Sequence, residues 1–138
     1  MQRVLLDTNA YCALMTGDGR VADALQKSQA ILLSAVVVGE LLDGFRGGTR
    51  NQENRLILER FREKPRTVCV PLTDTTAEWF AEIKHMLKRK GKPIPINDVW
   101  IAASCMEHGA QLMSFDGHFA EIDGLLRWQP PPTGFDRA

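Results

Sequence analysis

The stretch Ile31-Leu32-Leu33-Ser34-Ala35-Val36-Val37-Val38-Gly39-Glu40-Leu41-Leu42-Asp43-Gly44-Phe45 changes its hydrophobic period halfway along. Its first four residues form a short apolar run closed by a serine, the pattern of a strand buried on both faces. From Ala35 the apolar positions Val38, Leu41, Leu42 and Phe45 fall at i, i+3, i+4 and i+7, which is one face of a helix, and Gly47-Gly48 ends it. A buried strand feeding a helix is the repeating unit of a parallel sheet covered by helices.

The same alternation runs outward in both directions. Upstream, Arg3-Val4-Leu5-Leu6 reads as a strand ending at Asp7, followed by a helix from about Asn9 to Met15 and another from Arg20 to Ser28. Downstream, a polar helix from Thr49 to Lys64 carries Leu56, Ile57 and Phe61 and is stopped by Pro65. A strand is expected over Thr67 to Val70. Thr75 with Glu78 has capping-box spacing for a long helix to Lys90, with Ala77, Phe80, Ile83 and Leu87 on its buried face and Gly91 closing it. The prolines of Lys92-Pro93-Ile94-Pro95-Ile96 force an extended segment. Asn97 or Asp98 then opens a helix to His108 that is apolar nearly all round and should lie deep. Gln111 to Ser114 is a fourth strand and Leu125 to Trp128 a candidate edge strand. The expected architecture is therefore a three-layer α/β/α sandwich around a mainly parallel sheet of four to five strands. Residues 1–129 form one domain, and 130–138, opening on Pro130-Pro131-Pro132, form a stiff tail with little reason to order.

Composition fits this reading. The chain has 138 residues, 44% hydrophobic and 25% charged, enough to bury a core without staples. No apolar run approaches the roughly 18–20 residues that span a bilayer, so no membrane contact is expected. Met1-Gln2-Arg3 leads into the first strand without a cleavage-site pattern, so no signal peptide is expected. Cys12, Cys69 and Cys105 have neither zinc nor CxxC spacing and read as small buried hydrophobes in a reducing cytoplasm. The 17 basic residues balance 17 acidic ones, but the bases bunch between Arg46 and Arg66 and between Lys84 and Lys92, a pattern that reads first as solvated helix faces and, beside a catalytic site, as a surface for phosphate contacts.

In a parallel α/β sheet, ligands bind in the crevice at the carboxyl ends of the strands. Asp7 ends the first strand, Asp116 follows the fourth by two residues, Glu40 lies in the helix after the second, and Asp98 opens the helix after the proline segment. Singly each has a plainer explanation: Asp7 and Asp98 as helix caps, Asp116 as a turn residue in Phe-Asp-Gly. Glu40 is harder to dismiss, because it interrupts Val36-Val37-Val38-Gly39-Glu40-Leu41-Leu42. Converging carboxylates repel unless a cation neutralises them, and the natural choice is a hard divalent ion such as Mg²⁺ or Mn²⁺. Such an ion can activate water near neutral pH and stabilise charge on a phosphoryl group. His118, two residues past Asp116, is a weaker candidate for substrate contact, and Trp79, Trp100 and Trp128 read as core or interface residues.

Four blocks carry a resemblance: Leu5-Leu6-Asp7-Thr8-Asn9, Ser34 to Gly44, Ile96-Asn97-Asp98-Val99-Trp100-Ile101-Ala102-Ala103, and Leu112-Met113-Ser114-Phe115-Asp116-Gly117-His118-Phe119. In order and spacing they resemble the signature blocks of PIN-domain proteins, and within these the VapC toxins of type II toxin–antitoxin systems. The resemblance spans roughly Arg3 to Trp128. It implies a Mg²⁺- or Mn²⁺-dependent endoribonuclease that cuts structured RNA, transfer or ribosomal, and so inhibits translation and growth. Asp7 and Asp98 would be the main direct metal ligands. Glu40 and Asp116 would complete the site, directly or through waters, and Thr8 and Asn9 would order it by hydrogen bonding. Ser114 stands where the family commonly has threonine and keeps the hydroxyl. The implied reaction is in-line attack of water on a phosphodiester, leaving a 5′-phosphate and a 3′-hydroxyl. The implied partners are RNA, a second copy in a homodimer, and a VapB-type antitoxin in a hetero-oligomer.

Two other classes compete. An aspartyl-phosphotransfer phosphatase would use Asp7 as nucleophile but needs a second acid two residues on, where this chain has Asn9. A non-catalytic RNA-binding PIN domain would not need four intact acids.

Overall fold

The computed structural model describes residues 3–132. Four strands, β1 (Arg3–Leu6), β2 (Ala30–Ser34), β3 (Thr67–Val70) and β4 (Gln111–Met113), pair in the order β3-β2-β1-β4, and all three pairings are parallel. Six helices connect them: α1 (Thr8–Met15), α2 (Gly19–Gln26), α3 (Ala35–Arg46), α4 (Asn51–Arg62), α5 (Asp74–Lys90) and α6 (Ile96–Glu107). The chain steps from β1 to β2 to β3 in one direction, then returns past β1 to β4. With right-handed crossovers this reversal puts the first four helices on one face and α5 and α6 on the other. It also makes the gap between β1 and β4 the topological switch point, where side chains following two adjacent strands diverge around a crevice.

Strands β1, β2 and β4 are apolar without alternation because both faces are covered, whereas β3 at the sheet edge exposes Val68 and Cys69. Val4, Leu5, Leu6, Leu33 and Met113 are fully buried. Helix α6 passes through the interior, with Val99, Ile101, Ala102, Ala103, Ser104 and Cys105 buried, and Trp100 stacks on Phe80 of α5 at 4.0 Å between ring centroids. No helix among the described residues is long and apolar enough to cross a membrane.

Several local expectations are corrected. The α5 capping box uses Thr73 and Thr76 rather than Thr75 and Glu78. The Thr76 hydroxyl accepts from the Thr73 amide at 3.0 Å and donates to Glu107 Oε1 of α6 at 2.6 Å. That tie buries Thr76 and turns the helix so that Ala77 faces out. On α4 the buried residues are Leu58 and Phe61, while Leu56 and Ile57 are exposed. On α3 Val37 and Leu41 are buried, and Val38, Leu42 and Phe45 pack only partly. Helix α6 begins one residue early, capped by Pro95, so Asn97 and Asp98 sit inside its first turn. Leu125 to Trp128 forms one parallel bridge, Leu112 to Arg127, rather than a strand. The Leu112 amide donates to the Leu126 carbonyl and the Trp128 amide to the Leu112 carbonyl. Pro130 then removes the next N–H. Only Cys105 is buried; Cys12 and Cys69 are exposed. Of the expected tail, Pro130 to Pro132 carry no regular structure and 133–138 lie outside the described residues.

Candidate active site

Each acid is placed by its own element. Asp7 leaves β1 in extended conformation and caps α1, its Oδ1 accepting from the Ala10 amide at 2.8 Å. Its own amide donates to the Met113 carbonyl at 3.1 Å, which ties it to β4. Only 5% of Asp7 is exposed. Burial pushes its carboxyl above the usual carboxylate range. Hydrogen bonds from Ser114 and the Ala10 amide oppose the rise, and the Asp98 and Asp116 charges add to it. Ser114 also accepts from the Asp116 amide at 3.0 Å, so one hydroxyl links the two aspartates.

Glu40 lies in the second turn of α3, which Ser34 caps by accepting from the Val37 amide at 3.2 Å. Its two oxygens are separately held: Oε1 accepts from Thr8 Oγ1 at 2.6 Å and Oε2 from Asn97 Nδ2 at 3.4 Å. Asp98 is in the first turn of α6, where the helix dipole favours its charge. Burial still raises its carboxyl above the ordinary value, and the nearby Glu40 and Asp116 charges act in the same sense, with the neighbouring His118 ring opposing them. Asp116, more exposed, precedes a short 3₁₀ turn, Gly117–Glu121. His118 on that turn stands between two acids, Nε2 at 2.8 Å from Asp98 Oδ2 and Nδ1 at 3.1 Å from Asp116 Oδ1.

One cavity of about 370 Å³ is lined by Asp7, Glu40, Asp98 and Asp116 together with Thr8, Asn9 and the Pro95–Asn97 segment. The structure thus brings all four sequence-selected acids, Thr8 and Asn9 to one place at the carboxyl ends of β1 and β4, and Ser114 adjoins them. Two further polar residues reach the site. Asn97 was legible as the neighbour of Asp98 but its reach to α3 was not. His118 is closer to the acids than its sequence position alone suggested, because the tight 3₁₀ turn folds it back over Asp116.

The donor set suits a divalent cation. Four carboxylates, two of them with burial-raised carboxyls, face one imidazole among the described residues, so their charge is left largely uncompensated. Hard oxygen donors of this kind match Mg²⁺ or Mn²⁺. The expected basic clusters are partly used up structurally. Arg66 donates to the carbonyls of Leu25 and Ser28, Arg62 to Cys69 Sγ, Arg50 pairs with Glu53, and Lys90 with Asp123.

Comparison with known proteins agrees with this fold. The family model of the PIN domain matches residues 4–125. "Ribonuclease VapC5" of Mycobacterium tuberculosis is 26% identical over 120 residues, covering 87% of each chain. Among solved structures, VapBC-1 from nontypeable Haemophilus influenzae superposes with a TM-score of 0.81 at 23% identity, over 91% of this chain and 96% of that one. VapBC-5 from Mycobacterium tuberculosis, described as a member of the VapBC family of toxin–antitoxin systems, gives 0.68 at 24% identity, over 91% and 98%. A parallel four-stranded sheet with carboxylates gathered at its switch point defines the class, and the chain belongs to the PIN-domain family.

Proposed function

We propose that this protein is a metal-dependent endoribonuclease, the toxin of a toxin–antitoxin pair, which hydrolyses phosphodiester bonds in structured RNA, transfer or ribosomal, and so arrests translation and growth. The observation that carries the reading is the convergence of Asp7, Glu40, Asp98 and Asp116 on one cavity. The likeness to a protein named as a ribonuclease supports the substrate class. The likeness to VapBC complexes supports a VapB-type antitoxin as partner in a hetero-oligomer. A homodimer of the toxin and action in the cytoplasm complete the proposal. The proposed domain is 1–129, with 130–138 as a tail.

Asp7 and Asp98 would hold the cation directly, with Glu40 and Asp116 completing the site. Bound there, Mg²⁺ or Mn²⁺ would supply an activated water and offset charge on the phosphoryl group. The chain's own residues set the stage for this. Thr8 and Asn97 fix both oxygens of Glu40 so that it faces the cavity as an acceptor able to orient a water. Ser114 holds Asp7 and the Asp116 backbone in register. Asn9, exposed at the cavity wall, offers an amide to substrate or water.

Expression in growing cells of the host should arrest growth, and mapping of new RNA 5′ ends should show discrete cuts that vanish in Asp98→Asn. Arrest without discrete cuts, or cuts that persist in Asp98→Asn, would contradict the reading and favour an RNA-binding module.

A further inference from the structure

Resting on the metal-dependent reading above, we propose that His118 is itself a metal ligand, sharing with Asp98 a cation position that prefers Mn²⁺ to Mg²⁺, with Asp116 as the partner of its other ring nitrogen. Three observations lead there. The ligand atoms of Asp98, Asp116 and His118 lie within 4.8 Å of one another. Adjacent ligands at about 2.1 Å from an octahedral ion stand about 3.0 Å apart. The 2.8 Å separation of His118 Nε2 from Asp98 Oδ2 therefore matches neighbours on one ion.

Secondly, Nε2 is shielded from solvent and faces the Asp98 carboxylate, which pairs with it in the metal-free protein. Coordination through Nε2 would leave Nδ1–H to donate to Asp116, the carboxylate–histidine–metal arrangement that fixes tautomer and ring orientation. Thirdly, the ring is held in place. It lies against Phe119, a core residue 1% exposed, at 4.8 Å between centroids. Mg²⁺ favours carboxylates and water, whereas nitrogen donors favour the transition metals. A histidine here therefore shifts preference toward Mn²⁺.

The test is pulsed electron paramagnetic resonance on the full-length protein loaded with less than one equivalent of Mn²⁺. The expected result is nitrogen modulation from a directly coordinated imidazole that changes on ¹⁵N-histidine labelling. It should disappear in His118→Gln and persist in His85→Gln and His108→Gln. The same His118→Gln protein, folded by circular dichroism, should bind Mn²⁺ on the order of tenfold more weakly or worse, since even outer partners of metal ligands contribute 10–100-fold. Its Mg²⁺ affinity, measured by competition, should change little. Bound Mn²⁺ without nitrogen modulation, or modulation surviving His118→Gln, would overturn the proposal and leave the nuclease reading standing. Failure of the wild-type protein to bind Mn²⁺ at all would overturn the metal site and this proposal with it.

Discussion

Asp7 serves the fold and the site at once: its carboxylate caps α1, and burial beside Asp98 and Asp116 makes its charge costly. Its folded pKa is raised above the ordinary value of 3.8. Between the ordinary and the raised value the folded chain therefore holds a proton that the unfolded chain releases. This group's contribution to stability is present below about pH 4 and is lost as pH rises through the folded pKa. Asparagine keeps an oxygen for the Ala10 amide but carries no charge. Metal-free Asp7→Asn should then melt higher than wild type near neutral pH and show a flatter pH dependence in thermal scans, while RNA cleavage falls by on the order of 100-fold or more. A lower melting temperature in the variant would contradict the charge argument. Thr8→Val removes the 2.6 Å hydrogen bond to Glu40. It should cost about 1 kcal/mol in denaturant unfolding and lower cleavage roughly tenfold as Glu40 loses its orientation.

Among the elements, the joint of β2 and α3 was the most legible in sequence, because a change of hydrophobic period coincides with a capping serine. Ser34 is fully buried and accepts from the Val37 amide. Ser34→Ala should cost about 1 kcal/mol, lowering the melting temperature by roughly 3–6 °C, and should weaken cleavage by loosening the helix that carries Glu40. An unchanged melting temperature would show that the cap carries no stability. The helix phases were less legible. Ala77 and Thr76 are adjacent and both suit a buried position, and the choice falls on Thr76 because Glu107, 31 residues away, needs its hydroxyl. Leu56 and Leu58 differ in the same way: only packing against the rest of the fold decides which leucine faces in. The final bridge at Arg127 was over-read as a strand because its apolar pattern does not reveal that Pro130 ends the pairing.

For the whole molecule, a parallel sheet covered by helices was legible from the alternation, but its order β3-β2-β1-β4 was not, because right-handed crossovers are compatible with several strand orders and only the pairings put the switch point between β1 and β4. Because Asp7, Glu40 and Asp116 each stand at or just beyond the carboxyl end of a strand, where ligands bind in such sheets, and Asp98 opens a helix, the gathering of the four acids was legible. The ties across it were not, since Thr8 to Glu40 and Asn97 to Glu40 span 32 and 57 residues. A site that concentrates negative charge should be stabilised by the ion it suits. At a hundredfold excess of Mn²⁺ over its dissociation constant, stability should rise by about 2.7 kcal/mol, seen as a higher melting temperature that chelator reverses and Asp98→Asn lacks. The most direct test of the central claim is cleavage of host RNA by the purified, antitoxin-free protein with Mg²⁺, with Mn²⁺ and with chelator. Discrete cuts leaving 5′-phosphates, dependent on metal and absent in Asp98→Asn, are the predicted result. Intact RNA in the presence of either metal, or cuts that survive chelation, would contradict it.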